Sequence, residues 1–293
     1  MGPGGRRGGD TVNGRRYPRS IRRARRALAL AIASGKGGVG KTTVAGNLAL
    51  ALARTGLSVV VLDGDLGLAN VDVLLGMTPH RTLEHFFREG VPIEEIVHRG
   101  PGGVGVVPAG SGMPELTRLT LDELVRLAGA IDALRAECDV LLIDTPAGIG
   151  DDVSRLAQLS DRVLLVTWPE PTALVDAYAV LKVFRRQRPD LEVGLLVNGV
   201  ADAAEAERVH RQLDRAALRF LGRGVALQGH VVRDEAVREA SRRQRAVVAV
   251  SPLSPAARCF ERLALRIAAL AGAYMRGVTG EETGNAVPAE LVH

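Results

Sequence analysis

Short apolar runs alternating with helix-period segments predict an α/β fold: a doubly wound, mostly parallel sheet with helices on both faces. Two observations carry that expectation. The runs lack the in-and-out alternation of a half-exposed strand, Val140-Leu141-Leu142-Ile143 being the plainest, so they read as strands buried on both faces. The first run also leads through a glycine-rich stretch into a helical pattern, the strand–loop–helix unit of such sheets.

In chain order, Ala27–Ala33 is seven apolar residues with no polar face and gives the first strand, and Thr42–Thr55 gives the first helix. Ser58–Leu62 and Val104–Val107, both valine-rich, follow as strands. Helix Leu121–Glu137 precedes the strands Val140–Ile143 and Arg162–Thr167. Helix Thr172–Arg186, strand Glu192–Val197, helix Ala203–Leu221, strand Val225–Val231 and helix Ser254–Met275 complete the pattern. There is no internal repeat. A chain of 293 residues, 46% of them hydrophobic, is read as one core-forming domain at 27–275 between a basic arm, 1–26, and a polar tail, 276–293.

The arm holds nine arginines against the single acid Asp10, a charge of +8, while the whole chain is +5; residues 27–293 therefore sum to about −3. So polar a segment buries too little apolar surface to fold and reads as a disordered arm, helical at most from Ser20 onward. Its partner would be an anionic lipid surface, nucleic acid or an acidic protein. Arm plus Ala27–Ala33 superficially resembles a secretion signal, but the run ends directly in the glycine loop, and no stretch is long enough to span a membrane. The expected location is cytoplasmic, with any membrane contact peripheral. Aromatics at 3% argue against base stacking as the main business. Cys138 and Cys259 have no CxxC spacing, and the six histidines no ligand spacing, which argues against an iron–sulfur carrier or zinc ribbon.

Chemistry concentrates in Gly35-Lys36-Gly37-Gly38-Val39-Gly40-Lys41-Thr42-Thr43, which satisfies G-x-x-x-x-G-K-[ST] between a strand and a helix. Glycines let successive N–H groups approach phosphate oxygens, and the following helix adds its positive end. Lys41 would reach the β- and γ-phosphates and the Thr42 hydroxyl would ligate Mg²⁺, so the loop is expected to take a nucleoside triphosphate with magnesium. Asp144 closes a buried run at the carboxyl edge and is expected in the Mg²⁺ shell. Asp63 and Asp65 emerge at the same edge.

Lys36, a second lysine at the start of the loop, makes the sequence resemble the MinD/ParA family of deviant Walker A P-loop ATPases, K-G-G-x-x-K-[ST]. The resemblance runs from about Ala27 to Met275. It implies ATP and Mg²⁺ as cofactors and an ATP-dependent homodimer in which Lys36 reaches the partner subunit's nucleotide. It further implies Asp63 near the magnesium, Asp65 orienting the attacking water, and a switch loop at Asp144–Gly150. Asn198 would face adenine beneath a loop near Arg233 and Asp234. Asn47 and Asp176 match dimer-face positions, and Glu170 would hold Lys36 in the resting monomer.

Within the family, Asp65–Gly76, Pro108–Gly112 and Pro169–Ala179 look like the FlhG (FleN) branch, MinD-like regulators of flagellar number and placement. That branch implies an activator, such as an FlhF-like flagellar assembly GTPase. The D-Q-A-x-x-L-R element with which FlhG proteins stimulate that GTPase is absent from residues 1–26. The last helix, with Phe260, Leu263, Ile267, Leu270 and Tyr274 on one face and Arg258, Arg262 and Arg266 on another, reads as packed on the core, membrane contact being the alternative. The expected function is a slow, partner-stimulated ATPase switch. The alternatives are a partition ATPase binding DNA nonspecifically, through the arm, and a nonenzymatic nucleotide-stabilised scaffold.

Overall fold

The computed structural model describes residues 27–67, 70–110 and 119–276, together with a two-residue antiparallel pairing of Thr11–Val12 with Arg15–Arg16. The rest of the arm and the tail beyond Arg276 lie outside the described residues.

Eight strands form one sheet: β1 Leu28–Ser34, β2 Val59–Asp63, β3 His98–Arg99, β4 Gly105–Val107, β5 Val140–Ala147, β6 Arg162–Thr167, β7 Glu192–Val200 and β8 Ala226–Val232. Their order is β8-β7-β6-β1-β5-β2-β4-β3, and every neighbouring pair is parallel except β3 with β4. The chain leaves β1 in one direction to reach β2 and later crosses to the other side for β6, β7 and β8. The crevice where the winding reverses therefore opens beside the carboxyl end of β1.

Because successive side chains of a strand point to opposite faces, each central strand feeds two cores. Leu28, Leu30 and Ile32 of β1 and Val140 and Leu142 of β5 pack beneath α1, Lys41–Arg54, through Val44, Leu48 and Leu52. Ala31, Ala33, Leu141 and Ile143 face the other layer, built from α4 (Leu121–Glu137), α6 (Pro171–Gln187) and α7 (Ala203–Leu221). Between these lie shorter helices: α2 Val71–Leu74, α3 Leu83–Glu89 and α5 Asp151–Gln158, then α8 Glu235–Arg242 and α9 Val247–Val250 before α10, Pro255–Met275.

One expectation needs correction, and one alternative loses its basis. Asp144–Ala147 is not a loop but the end of β5: Ser34 pairs with Ala147, the Thr145 hydroxyl donates to the Ile32 carbonyl at 3.0 Å, and the Gly148 N–H donates to the Ser34 carbonyl at 2.9 Å. The last helix, α10, packs on the core as expected, which leaves the membrane alternative without a free apolar face. Phe260, Leu263 and Ile267 are buried in the α1 layer, leaving Arg258, Arg262 and Arg266 outward. No helix among the described residues is long and apolar enough to cross a membrane.

Candidate functional site

The glycine loop connects β1 to α1 at the reversal crevice. Gly38 and Gly40 have φ of +78° and +90°, conformations that side chains other than glycine strain to adopt. Gly35 is fixed by space instead, since a Cβ there would lie 2.3 Å from the Asp176 backbone. Gly37 is exposed, whereas Val39 is buried. Lys41 opens α1 and is buried; burial lowers its pKa, while Asp144 and Asp65 act to keep it charged. Thr42 and Thr43 follow in the first helical turn, and the Thr42 hydroxyl bonds the Asp144 carboxylate.

Asp63 and Asp144 end neighbouring strands and pair in register, so two carboxylates sit side by side in a buried position. Asp144 is pushed up to about 6, chiefly by burial, and Asp63 to about 8 by burial and then by the Asp144 charge. Their surroundings differ. Asp63 accepts three backbone N–H groups, from Asp65 at 3.1 Å, Asn70 at 3.0 Å and Val71 at 3.1 Å, and so organises the loop after β2. Asp144 Oδ1 is buried and, among the described residues, has no hydrogen-bond partner. An orphaned carboxylate oxygen beside a threonine hydroxyl fits a hard divalent cation with oxygen ligands, so Thr42 and Asp144 are the residues that would hold Mg²⁺. Asp65 is half-buried and belongs to the charge cluster around Lys41. Gly64 is required where the loop leaves β2: its N–H donates to the Asp144 carbonyl at 2.8 Å, and a Cβ would meet that oxygen at 2.9 Å.

Lys36 behaves unlike Lys41. Its Nζ leaves the loop and lies 3.6 Å from Glu170 Oε2 and 3.5 Å from Thr172 Oγ1 at the start of α6, with both charged side chains about half exposed. Such a pair is worth at most about 1 kcal/mol, so a phosphate can replace it. Glu170 is therefore the carboxylate that Lys36 meets in this structure. Asp176 meets the loop through its backbone, behind Gly35.

Asn47 is not on a face. It is 1% exposed, its Nδ2 donates to the Thr43 carbonyl and its Oδ1 accepts from the Val248 N–H, which ties α1 to α9. Asn198 lies in β7, and its Nδ2 donates to the Val39 carbonyl at 2.8 Å. The same carbonyl accepts from the Trp168 indole N–H at 2.9 Å, a loop contact with no motif to announce it. Asp234 spends its carboxylate on the N–H groups of Ala236 and Ala256, starting α8 and α10, while the Arg233 N–H donates to the Val200 carbonyl.

The cysteines stay apart from this chemistry: Cys259 is buried in α10, and burial pushes the Cys138 thiol up to about 12. Among the described residues no cluster of histidines, cysteines and carboxylates could hold a metal ion by itself. With its pKa raised, Cys138 stays protonated at neutral pH, so iodoacetamide at pH 8 should leave it unmodified for hours in the native protein. Mass spectrometry would show alkylation only after unfolding in urea. Rapid labelling of the native chain would contradict the raised pKa of this half-buried thiol.

The family described as "ParA: NUBPL iron-transfer P-loop NTPase" matches residues 26–268. The chain is 41% identical over 238 residues to the antiactivator FleN of Pseudomonas aeruginosa, covering 81% of this chain and 85% of FleN. It is 35% identical over 192 residues to the flagellum site-determining protein YlxH of Helicobacter pylori, covering 64% of this chain and 63% of YlxH. Among solved structures, the septum site-determining protein MinD of Pyrococcus horikoshii, complexed with Mg-ADP, superposes with a TM-score of 0.70 at 27% identity, covering 85% of this chain and 98% of that one.

Proposed function

We infer that this chain, which belongs to the ParA/MinD family of P-loop NTPases, is an ATPase switch that dimerises around ATP and sets flagellum number or placement. The observation that carries the switch is the division of labour between two lysines of one loop. Lys41 is buried among Asp65 and Asp144, while Lys36 is parked outside the loop on Glu170 and Thr172. A lysine in that position can be withdrawn from its resting partners to meet a phosphate on a second subunit.

The loop N–H groups and Lys41 bind and orient the triphosphate, and α1 adds its positive N-terminus. Thr42 and Asp144 would hold Mg²⁺, which would supply positive charge at the phosphates. Asp65 positions the water. Asp63 anchors the loop that carries Asp65, and so supports the reaction without touching it. Asn198 serves adenine through its amide oxygen, since the exocyclic amine of adenine is a donor and the Nδ2 of Asn198 is committed to Val39. Turnover is slow until an activator, an FlhF-like GTPase or another protein, engages the dimer.

The flagellar reading is supported by the likeness to FleN and YlxH, and contact with the cytoplasmic side of a membrane would be peripheral. One observation favours partition on DNA as the second reading. Residues 233–276 carry nine arginines and four acids, a net +5, against −5 for residues 27–232. Within this stretch α8 is neutral and α10 is net +2, the remainder coming from Arg243 and Arg245 between them and Arg276 after α10.

Sedimentation with a nonhydrolysable ATP analogue tests the switch. Wild type should dimerise, whereas Lys36→Ala should bind nucleotide as a monomer with dimer affinity at least roughly tenfold weaker, because a charge-assisted contact across the interface is lost. Unimpaired dimers of Lys36→Ala would remove the mechanism proposed for that lysine. Turnover with anionic liposomes and with duplex DNA, together with flagellar counts in a deletion strain, separates the flagellar reading from partition.

A further inference from the structure

The Val39 carbonyl is held by two side chains that approach from different strands. Trp168, just beyond β6, donates its indole N–H at 2.9 Å, and Asn198 of β7 donates Nδ2 at 2.8 Å. A carbonyl oxygen has two lone pairs, and here each has a donor. The backbone is shaped to allow this. A Cβ on Gly40 would lie 2.6 Å from the Asn198 amide nitrogen, and one on Gly199, whose φ is +71°, would lie 3.4 Å from the indole ring. The tryptophan thus lies across one glycine while the asparagine reaches past another.

This arrangement has a directional consequence. In a trans peptide the C=O of one residue and the N–H of the next point in opposite directions, and the described backbone contains no cis bond. Holding the Val39 carbonyl toward β6 and β7 turns the Gly40 N–H the other way, into the concavity of a phosphate loop. Without the donors, a peptide between glycine-rich neighbours can rotate and lose that aim.

We propose that Trp168 is a positioning residue of the phosphate loop: with Asn198 it forms a two-donor clamp on the Val39 carbonyl that keeps the Gly40 N–H aimed at the nucleotide phosphates. The proposal rests on the phosphate-loop reading above. It assigns a role to the chain's single tryptophan, a residue that touches the loop from the side opposite the phosphates.

Calorimetric titration of the full chain with Mg-ADP and with pyrophosphate, which has no base, provides the test. Trp168→Phe keeps an aromatic ring and removes the donor. It should weaken both ligands by the same factor, about 3- to 10-fold, as expected for one neutral hydrogen bond. The apo melting temperature should stay close to that of wild type. Asn198→Ala should weaken pyrophosphate similarly, and the double variant should lose more than the product of the single losses, because either donor alone still holds the carbonyl. Unchanged pyrophosphate affinity in Trp168→Phe, or a loss confined to ADP, would overturn the clamp and leave the tryptophan a contact of the base. Should Trp168→Phe fail to fold, Trp168→Leu, which also lacks the donor, is titrated with both ligands in its place and judged by the same outcomes. Wild-type protein that binds neither ligand would instead overturn the phosphate-loop reading itself.

Discussion

Asp65→Ala should lower ATP turnover about 10²–10⁴-fold, the range typical of a positioned acid–base group, while Mg-nucleotide affinity changes only a few-fold. The split follows from where the group sits. The phosphate cradle is built from the loop N–H groups and Lys41, and Asp144 as well as Asp65 supports the charge of that lysine. The Asp65 N–H is tied to Asp63 Oδ1 at 3.1 Å, which fixes the loop in place even when the side chain is truncated. Its carboxylate acts on the same region as Lys41 and Asp144, where transferred charge would develop. Asp65→Asn, which keeps the shape and removes the charge, should fall in the same range. Single-turnover hydrolysis separates chemistry from binding, and wild-type turnover in Asp65→Ala would show that the residue is only a loop acid.

The central strands were legible because they are buried on both faces, so β1 and β5 carry no polar alternation to confuse their reading. The phosphate loop was legible because its chemistry is local: nine consecutive residues supply the glycines, both lysines and the threonine. Groups brought together by the sheet were not. Trp168 and Asn198 lie 129 and 159 residues from Val39, and only the strand order places them against it. Asn47 was placed at a dimer face by resemblance alone, and its two partners, the Thr43 carbonyl and the Val248 N–H, are backbone groups that no side-chain pattern reveals. The Asp144–Ala147 stretch, rich in small and turn-forming residues, read as a loop, yet β1 is long enough to hold it as strand. Helices such as Val71–Leu74 and Val247–Val250 are one turn long and leave no periodicity.

Breaking the Arg135–Asp161 pair should cost roughly 3–5 kcal/mol of stability, the range for removing one partner of a buried ion pair. Arg135, near the end of α4, has a side chain only 5% exposed and bonds Asp161 Oδ2 at 2.7 Å, the Ala27 carbonyl at 3.1 Å and the Tyr274 hydroxyl at 2.9 Å. Tyr274 in turn donates to Asp161 Oδ1 at 3.0 Å, and Asp161 Oδ2 accepts the Ala29 N–H at 2.8 Å. One guanidinium therefore ties α4, the start of β1, the approach to β6 and the end of α10. Burial, followed by the Asp161 charge, raises the Tyr274 pKa, so its hydroxyl stays a donor at neutral pH. Asp161→Ala leaves the arginine charged, buried and unpaired; at about 2–4 °C per kcal/mol for a domain of this size, the melting temperature should fall by roughly 10 °C. Arg135→Met/Asp161→Leu, which removes both charges, should recover part of the loss, because the desolvation cost disappears with the pair. Nucleotide affinity measured below the transition should not move, since the cluster sits at the amino edge of the sheet and the phosphate loop at the carboxyl edge. A loss under about 1 kcal/mol would place Arg135 among surface pairs and leave the joining of α10 to β1 to apolar contacts such as Ile267 and Leu28.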